Sequence, residues 1–312
     1  MTSGAGASRA AVGLNAVIVS VDGTTPRLLT LRDGEQESLP SGDLDDRSDR
    51  TLEAAVRRLV AAEVGVPVRY FEQLYTFGDR DRVPGGRALA VAYLALARHQ
   101  PVYGPKNPRW VDYYELFPWE DWRPGKPSMI GRLINPALEA WLVGSPSSTR
   151  PTRTERAELT FGTGQALWDP VRVLDRYELL YELGLVDEAW RAGGRDKRGP
   201  VVGMPLAHDH RRIAAAALER LRGKLTYRPV VFEVLPDTFT LSALQQVVEA
   251  LSGQVLHKQN FRRLVSASNL VEPTGELQAH TGGRPAELYR FRREVLRERP
   301  APGLGLRRLG GP

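Results

Sequence analysis

Near the C-terminus the chain reads His257, Lys258, Gln259, Asn260, Phe261, Arg262, Arg263, Leu264, Val265 and Ser266, the side chains best suited to chemistry on nucleic acid. Wound as a helix at about 100° per residue, Phe261, Leu264, Val265 and Ser268 fall on one side. Gln259, Arg262, Arg263 and Ser266 fall on the other. The outward face then holds an amide, two guanidinium groups and a hydroxyl, and no acid occurs between Glu249 and Glu272. A guanidinium matches the O6/N7 edge of guanine or a phosphate, and a carboxamide matches the N6/N7 edge of adenine. His257, Lys258 and Asn260 add donors at the start of the helix. A lone basic helix is more often a solvated surface, so the neighbouring elements decide.

Those neighbours have the right form. Thr240 is placed to cap a helix whose Leu241, Leu244, Val247, Val248 and Leu251 line one face, and Ser252 with Gly253 supplies its stop. After the second helix, segments 270–274 and 287–291 are strand-like, and 275–285 forms a tip holding His280, Gly282, Gly283 and Arg284. Helix, turn, acid-free helix and basic-tipped ribbon together make a winged helix-turn-helix, expected over 228–299. The remaining 300–312 is expected to be disordered.

A second set of chemical residues lies around Glu63. A helix is predicted over 50–64, with Leu52, Ala55, Val56, Leu59 and Val60 at helical spacing. Leu39, Pro40, Ser41 and Gly42 precede it. With Arg58, Glu63, Gly65 and Val66, this stretch resembles a Nudix box. In that motif a glycine loop feeds a helix whose glutamates, at i, i+3 and i+4, share a face and hold Mg²⁺ against a pyrophosphate. Here Leu59 and Ala62 stand at two of the three positions, and Gly42 is two residues further from Arg58 than the motif has it. Asp43, Asp45, Asp46, Asp49 and Glu53 lie upstream, away from the shared face. One carboxylate is a poor cage for a cation that takes several oxygens, so binding without efficient hydrolysis is expected, with no catalytic residue and no metal assigned. Paired strands over 11–31, turning at Asp22 and Gly23, and a buried strand over 87–96 supply the sheet.

Several blocks in order carry a wider resemblance: the box remnant; Tyr75, Thr76, Phe77, Gly78 and Asp79; Asp209, His210, Arg211, Arg212 and Ile213; Asn260, Phe261, Arg262 and Arg263; and Gly283, Arg284, Pro285 and Ala286. Together the chain resembles the Nudix-related transcriptional regulators of NAD metabolism. The resemblance implies an α+β protein, a Nudix-like αβα sandwich over 1–227 with a helical insertion at about 124–202, followed by the winged helix. It implies a homodimeric repressor of NAD biosynthesis or salvage genes, with a double-stranded operator and a nucleotide effector, ADP-ribose or an NAD-related compound. Candidate effector contacts are Arg58, Glu63, Arg82 and Arg87, the cations for a diphosphate, with Phe77 and Tyr93 for an adenine. Arg58 and Glu63 have a structural alternative in pairing with the loop, and Tyr93 in joining the core. His257 stands where the family usually has an acid. The competing expectations are an active pyrophosphohydrolase with an accessory C-terminal unit, and a protein-interaction adaptor.

Composition agrees. The 312 residues carry 43 Lys and Arg against 37 Asp and Glu, a net charge of +6. Residues 228–312 hold twelve cations and eight acids, so most of the excess lies in the last 85 residues. A local basic surface suits nucleic acid. With no cysteine, disulfides and thiolate metal sites are excluded and a reducing cytoplasm is expected. No apolar run is long enough to span a membrane, and the first residues show neither a signal core nor a transit pattern. Residues 145–153 are expected to be a linker, 171–192 one or two helices, and 208–225 an amphipathic helix. The basic face of that last helix, Arg211, Arg212, Arg220, Arg222 and Lys224, is expected to be solvated.

Overall fold

The computed structural model describes residues 11–34, 36–45, 47–78, 88–192, 199–278, 285–298 and 302–304. Strand β1 (Ala11–Asp22) turns through Gly23, at φ +58°, into β2 (Thr25–Asp33). The next elements are β3 (Gln36–Ser38), β4 (Ser41–Asp43), α1 (Leu52–Val64), β5 (Tyr70–Phe77), β6 (Ala88–Leu96), β7 (Pro108–Asp112) and the short α2 (Tyr113–Leu116). The sheet runs β3-β2-β1-β6-β5, with β4 on β1 and β7 on β2. β1 and β6 pair in parallel at its centre. Both are covered on two faces, which is why β6 is almost uninterruptedly apolar.

A π-helical turn (Ile130–Ile134) leads into α3 (Asn135–Val143), followed by α4 (Arg150–Phe161), α5 (Val173–Glu182), α6 (Asp187–Ala192) and α7 (His210–Tyr227). Helix α1 covers one face of the sheet, packing Ala55, Val56, Val60 and Val64 on Leu14, Ile18, Leu29 and Tyr93. Helix α7 covers the other, with Ile213, Ala217, Leu218 and Leu221 in one cluster with Val17, Val19, Ala92 and Leu94. The N-terminal unit is therefore an αβα sandwich. Among the described residues no helix is long and apolar enough to cross a membrane.

The C-terminal unit begins with a 3₁₀ turn (Val230–Glu233). It continues through β8 (Thr238–Phe239), α8 (Leu241–Ser252), α9 (Lys258–Ser268), β9 (Val271–Gln278) and β10 (Ala286–Phe291), its sheet ordered β8-β10-β9. Leu244, Val247, Val248, Phe261 and Leu270 belong to the same buried cluster as Trp119 and Leu218. The two units share one apolar interior.

Three expectations need correcting. The supposed linker at 145–153 is in part helix, because α4 already begins at Arg150 with a proline in its first turn, where the missing N–H costs nothing. The basic face of α7 is not uniformly solvated: Arg211 and Arg222 are 0% and 4% exposed. Arg211 bonds Glu188 at 2.6 Å and the carbonyls of Val202, Met204 and Leu116 at 3.0–3.3 Å. The tail beyond 299 is not wholly free either. Leu304 is buried in the main cluster, and Gly303 lies so close to the Thr226 and Tyr227 backbone that a Cβ would sit 2.2 Å from the Tyr227 Cα.

Candidate nucleic-acid interface

The acid-free helix forms where its periodicity places it. Phe261 and Val265 are buried and Leu264 is half-buried, whereas Gln259, Arg262, Arg263 and Ser266 are exposed, as are His257, Lys258 and Asn260. Among the described residues no carboxylate pairs with Lys258, Arg262 or Arg263, so these cations keep their donors for a partner. His257 is the N-cap and its ring makes no capping bond; Asn269, at φ 54°, ends the helix in the left-handed conformation that asparagine tolerates. His280 and Arg284 lie outside the described residues.

Helix α8 holds α9 in place. The Thr240 hydroxyl accepts from the Ala243 N–H at 3.1 Å, and Gly253 closes the helix at φ 71°. The Glu249 carboxylate accepts from the Leu256 N–H at 2.8 Å, and the Gln245 amide donates to the Leu256 carbonyl at 2.8 Å. These two side chains pin the turn between the helices. Sequence reasoning missed them, although glutamine and glutamate four apart on one helix are a recognisable pair.

On the α1 side, Arg58 binds Asp49 through Nε at 2.9 Å and Nη2 at 2.6 Å, and the guanidinium holds the Asp49 carboxyl below the usual carboxylate range. Glu63 pairs with Lys106, while its buried second oxygen, Oε2, has no partner. Lys106 was not foreseen; the nearby Gly104 is the signal, since a Cβ there would meet the Glu63 carbonyl oxygen at 2.0 Å. Leu59 packs beneath the glycine loop, its Cδ1 only 2.3 Å from where a Gly42 Cβ would be. His210 Nδ1 accepts from the Leu39 N–H at 3.0 Å, and the same ring contacts Asn15 at 3.1 Å, which joins that loop to the start of α7.

These residues do not fit Mg²⁺. The one carboxylate kept from the box is engaged by an ammonium, and the place of another is filled by leucine. Among the described residues no group of three or more His, Asp or Glu is arranged to hold a metal. Tyr93 is buried in the α1-side cluster. Phe77 is buried on the opposite, α7 side, with the Arg212 guanidinium 5.5 Å from its ring centre. The structure thus gathers Arg58, Glu63 and Tyr93 on one side of the sheet and separates Phe77 from them. Arg82 and Arg87 lie outside the described residues.

Residues 231–291 match the family model of the NrtR DNA-binding winged helix domain. A segment of 88 residues is 39% identical to an ADPR responsive transcriptional repressor, NtrR, of Acinetobacter baylyi, covering 28% of this chain and 35% of that protein. Among solved structures, Shewanella oneidensis NrtR complexed with a 27mer DNA is similar over 91% of this chain and 94% of its own, with 22% identity and a TM-score of 0.56. A MutT/nudix family protein from Enterococcus faecalis is similar over 93% and 90%, with 18% identity and a TM-score of 0.55. At these identities the likeness concerns the fold. Residues 231–291 are a winged helix of the NrtR type, and the whole chain shares the fold of those two structures.

Proposed function

We propose that this protein is a cytoplasmic DNA-binding transcriptional repressor of NAD biosynthesis or salvage genes. Its Nudix-like domain senses ADP-ribose or a related nucleotide and does not hydrolyse it efficiently. The single observation that carries the proposal is the exposed α9 face, on which Gln259, Arg262, Arg263 and Ser266 stand together with no acid among the described residues to satisfy the cations. The Acinetobacter relative, described as an ADPR responsive repressor, supports the choice of nucleotide.

The protein acts as a homodimer whose two α9 helices meet half-sites one helical turn apart, or a multiple of it. A nucleotide that binds one dimer geometry better than the other shifts the population between them and so changes the spacing of the two helices. On the α1 side its phosphates would compete with Asp49 for Arg58 and with Glu63 for Lys106. Both pairs are accessible enough to exchange partners, since Arg58 and Lys106 are about half exposed.

A mobility shift on DNA upstream of NAD-pathway genes, with and without ADP-ribose or NAD, tests this. A retarded band whose amount changes with nucleotide is expected, together with calorimetric ADP-ribose binding and no Mg²⁺-dependent release of AMP. Absence of any retarded band overturns the DNA assignment. Brisk AMP release that Glu63→Gln abolishes would make the protein a hydrolase.

A further inference from the structure

The helical stretch between α2 and α7 lies apart from the α9 face, yet α5 reaches through Arg176 to Glu120, the carboxylate that holds Arg222 against the end of α8. We propose that Arg176, Glu120 and Arg222 form a buried clamp through which this stretch fixes the helix-turn-helix. Arg176 is then a positioning residue for DNA recognition, a role that rests on the function proposed above.

The last turn of any helix leaves carbonyls without intrahelical partners. At the end of α8 two of these carbonyls, and that of the capping Gly253, receive donors from the N-terminal unit. The Tyr114 hydroxyl donates to the Ala250 oxygen at 2.7 Å, Arg222 Nε to the Leu251 oxygen at 3.2 Å, and the Trp122 N–H to the Gly253 oxygen at 2.8 Å. Gly253 is required twice over. Its φ is left-handed, and a Cβ would lie 2.4 Å from the Glu120 oxygen, 2.7 Å from Arg222 Nη2 and 2.9 Å from the Tyr114 hydroxyl.

Arg222 is itself held. Its Nη1 donates to Glu120 Oε2 at 2.5 Å and to the Pro170 carbonyl at 2.9 Å, and its Nη2 to the Glu120 carbonyl at 3.1 Å. Glu120 is gripped from its other side by α5: Arg176 Nε meets Oε1 at 2.5 Å and Nη2 meets Oε2 at 2.9 Å. Arg176 Nη1 donates to the carbonyls of Thr160 and Asp169, and the guanidinium lies 3.9 Å from the Trp168 ring centre. None of the three charged residues is more than 4% exposed.

Two guanidinium groups share the Glu120 carboxylate, with Glu219 close enough to Arg176 to interact with it. The C-terminal end of α8 carries partial negative charge and faces Arg222, and the face of the Trp168 ring meets Arg176. Seating α8 therefore gives Arg222 Nε its acceptor, and unseating it would leave a buried N–H without one. Apolar packing is non-directional, whereas these bonds fix where the end of α8 lies. A second polar link between the units joins Arg98 and Arg69 to Asp237, which is exposed and so weakly constraining, and Arg98 Nε also donates to the Leu235 carbonyl at 2.7 Å. Because Glu249 and Gln245 tie the turn to α8, a displaced α8 end carries Arg262 and Arg263 with it.

Hydrogen–deuterium exchange and DNA titration of the full chain test the clamp with Arg176→Lys, which loses the forked grip on Glu120, and with Trp168→Leu, which keeps every charge. In Arg176→Lys the amides of 250–257 are expected to exchange about tenfold faster while those of β1 and α1 hold. Affinity for specific DNA should fall about tenfold, with low-salt non-specific binding retained. Trp168→Leu should shift the same segment in the same direction by less, and it decides the matter alone if Arg176→Lys does not fold. Faster exchange confined to α4 and α5 in both variants overturns the proposal. If the wild-type chain binds no DNA but the exchange of 250–257 still responds, the clamp stands and the DNA-binding function falls.

Discussion

Helices α7 and α9 both carry arginines at helical spacing, and in sequence the two basic faces look alike. In the folded chain Arg211 and Arg222 of α7 are buried, each with a carboxylate and several carbonyls, while Arg262 and Arg263 of α9 are exposed with no carboxylate partner among the described residues. The first pair holds elements together. The second has its donors unspent, as a nucleic-acid surface requires. Basic charge on a helix is thus a poor guide to function until its partners are counted, and those partners come from far along the chain.

Three variants bear on this contrast. The largest effect is expected for Glu120→Ala, which strands two buried guanidinium groups; a loss of about 3–5 kcal/mol in denaturant unfolding follows from breaking such a cluster. A loss well under 1 kcal/mol would mean that water reaches these arginines and that the contrast with α9 is false. Next comes Arg262→Ala combined with Arg263→Ala. Operator affinity should fall about 100-fold or more, at roughly 1–3 kcal/mol for each base-directed guanidinium, with the unfolding midpoint unchanged. Wild-type affinity at physiological salt would remove α9 from the interface. The smallest effect concerns Glu219, on α7 like the buried arginines. Burial raises its carboxyl above the ordinary value, against the Leu174 N–H that it accepts at 3.0 Å. A raised folded-state pKa favours the fold below the unfolded pKa, and that contribution is lost as pH rises through the folded one. Glu219→Gln should therefore show a slightly higher urea midpoint than wild type at pH 8, the gap closing toward pH 4. A gap that widened on acidification would reverse the sign.

The buried and exposed faces of α9 were legible because one local period of 3.6 residues separates Phe261 and Val265 from Arg262 and Arg263. The same holds for the Thr240 and Gly253 caps and for the turn at Gly23 between β1 and β2. The α1 side was half legible: Leu59 and Ala62 announce the lost carboxylates, but Lys106 joins Glu63 only once β7 is paired in the sheet. The buried arginines of α7 were not legible at all. Glu120 lies 102 residues before Arg222, and nothing in a local pattern distinguishes a guanidinium facing water from one facing a carboxylate brought in by the fold. Helix α4 was missed for a different reason: its first turn is built from Arg, Pro and Thr, which without a visible apolar stripe resembles a linker. The roles expected of Arg82, Arg87, His280 and Arg284 lie outside the described residues.

The apolar interior common to both units limits how such a chain can be rearranged by recombination. A cut between α7 and the 3₁₀ turn would pass through a continuous core, baring Leu244, Val247 and Val248 on one fragment and Trp119 and Leu218 on the other. A gene fusion that exchanged only the winged helix for another of different specificity would have to replace the Tyr114 to Trp122 segment and the end of α7 along with it. On the function proposed above, new operators would be more readily acquired one side chain at a time on α9 than by swapping whole domains.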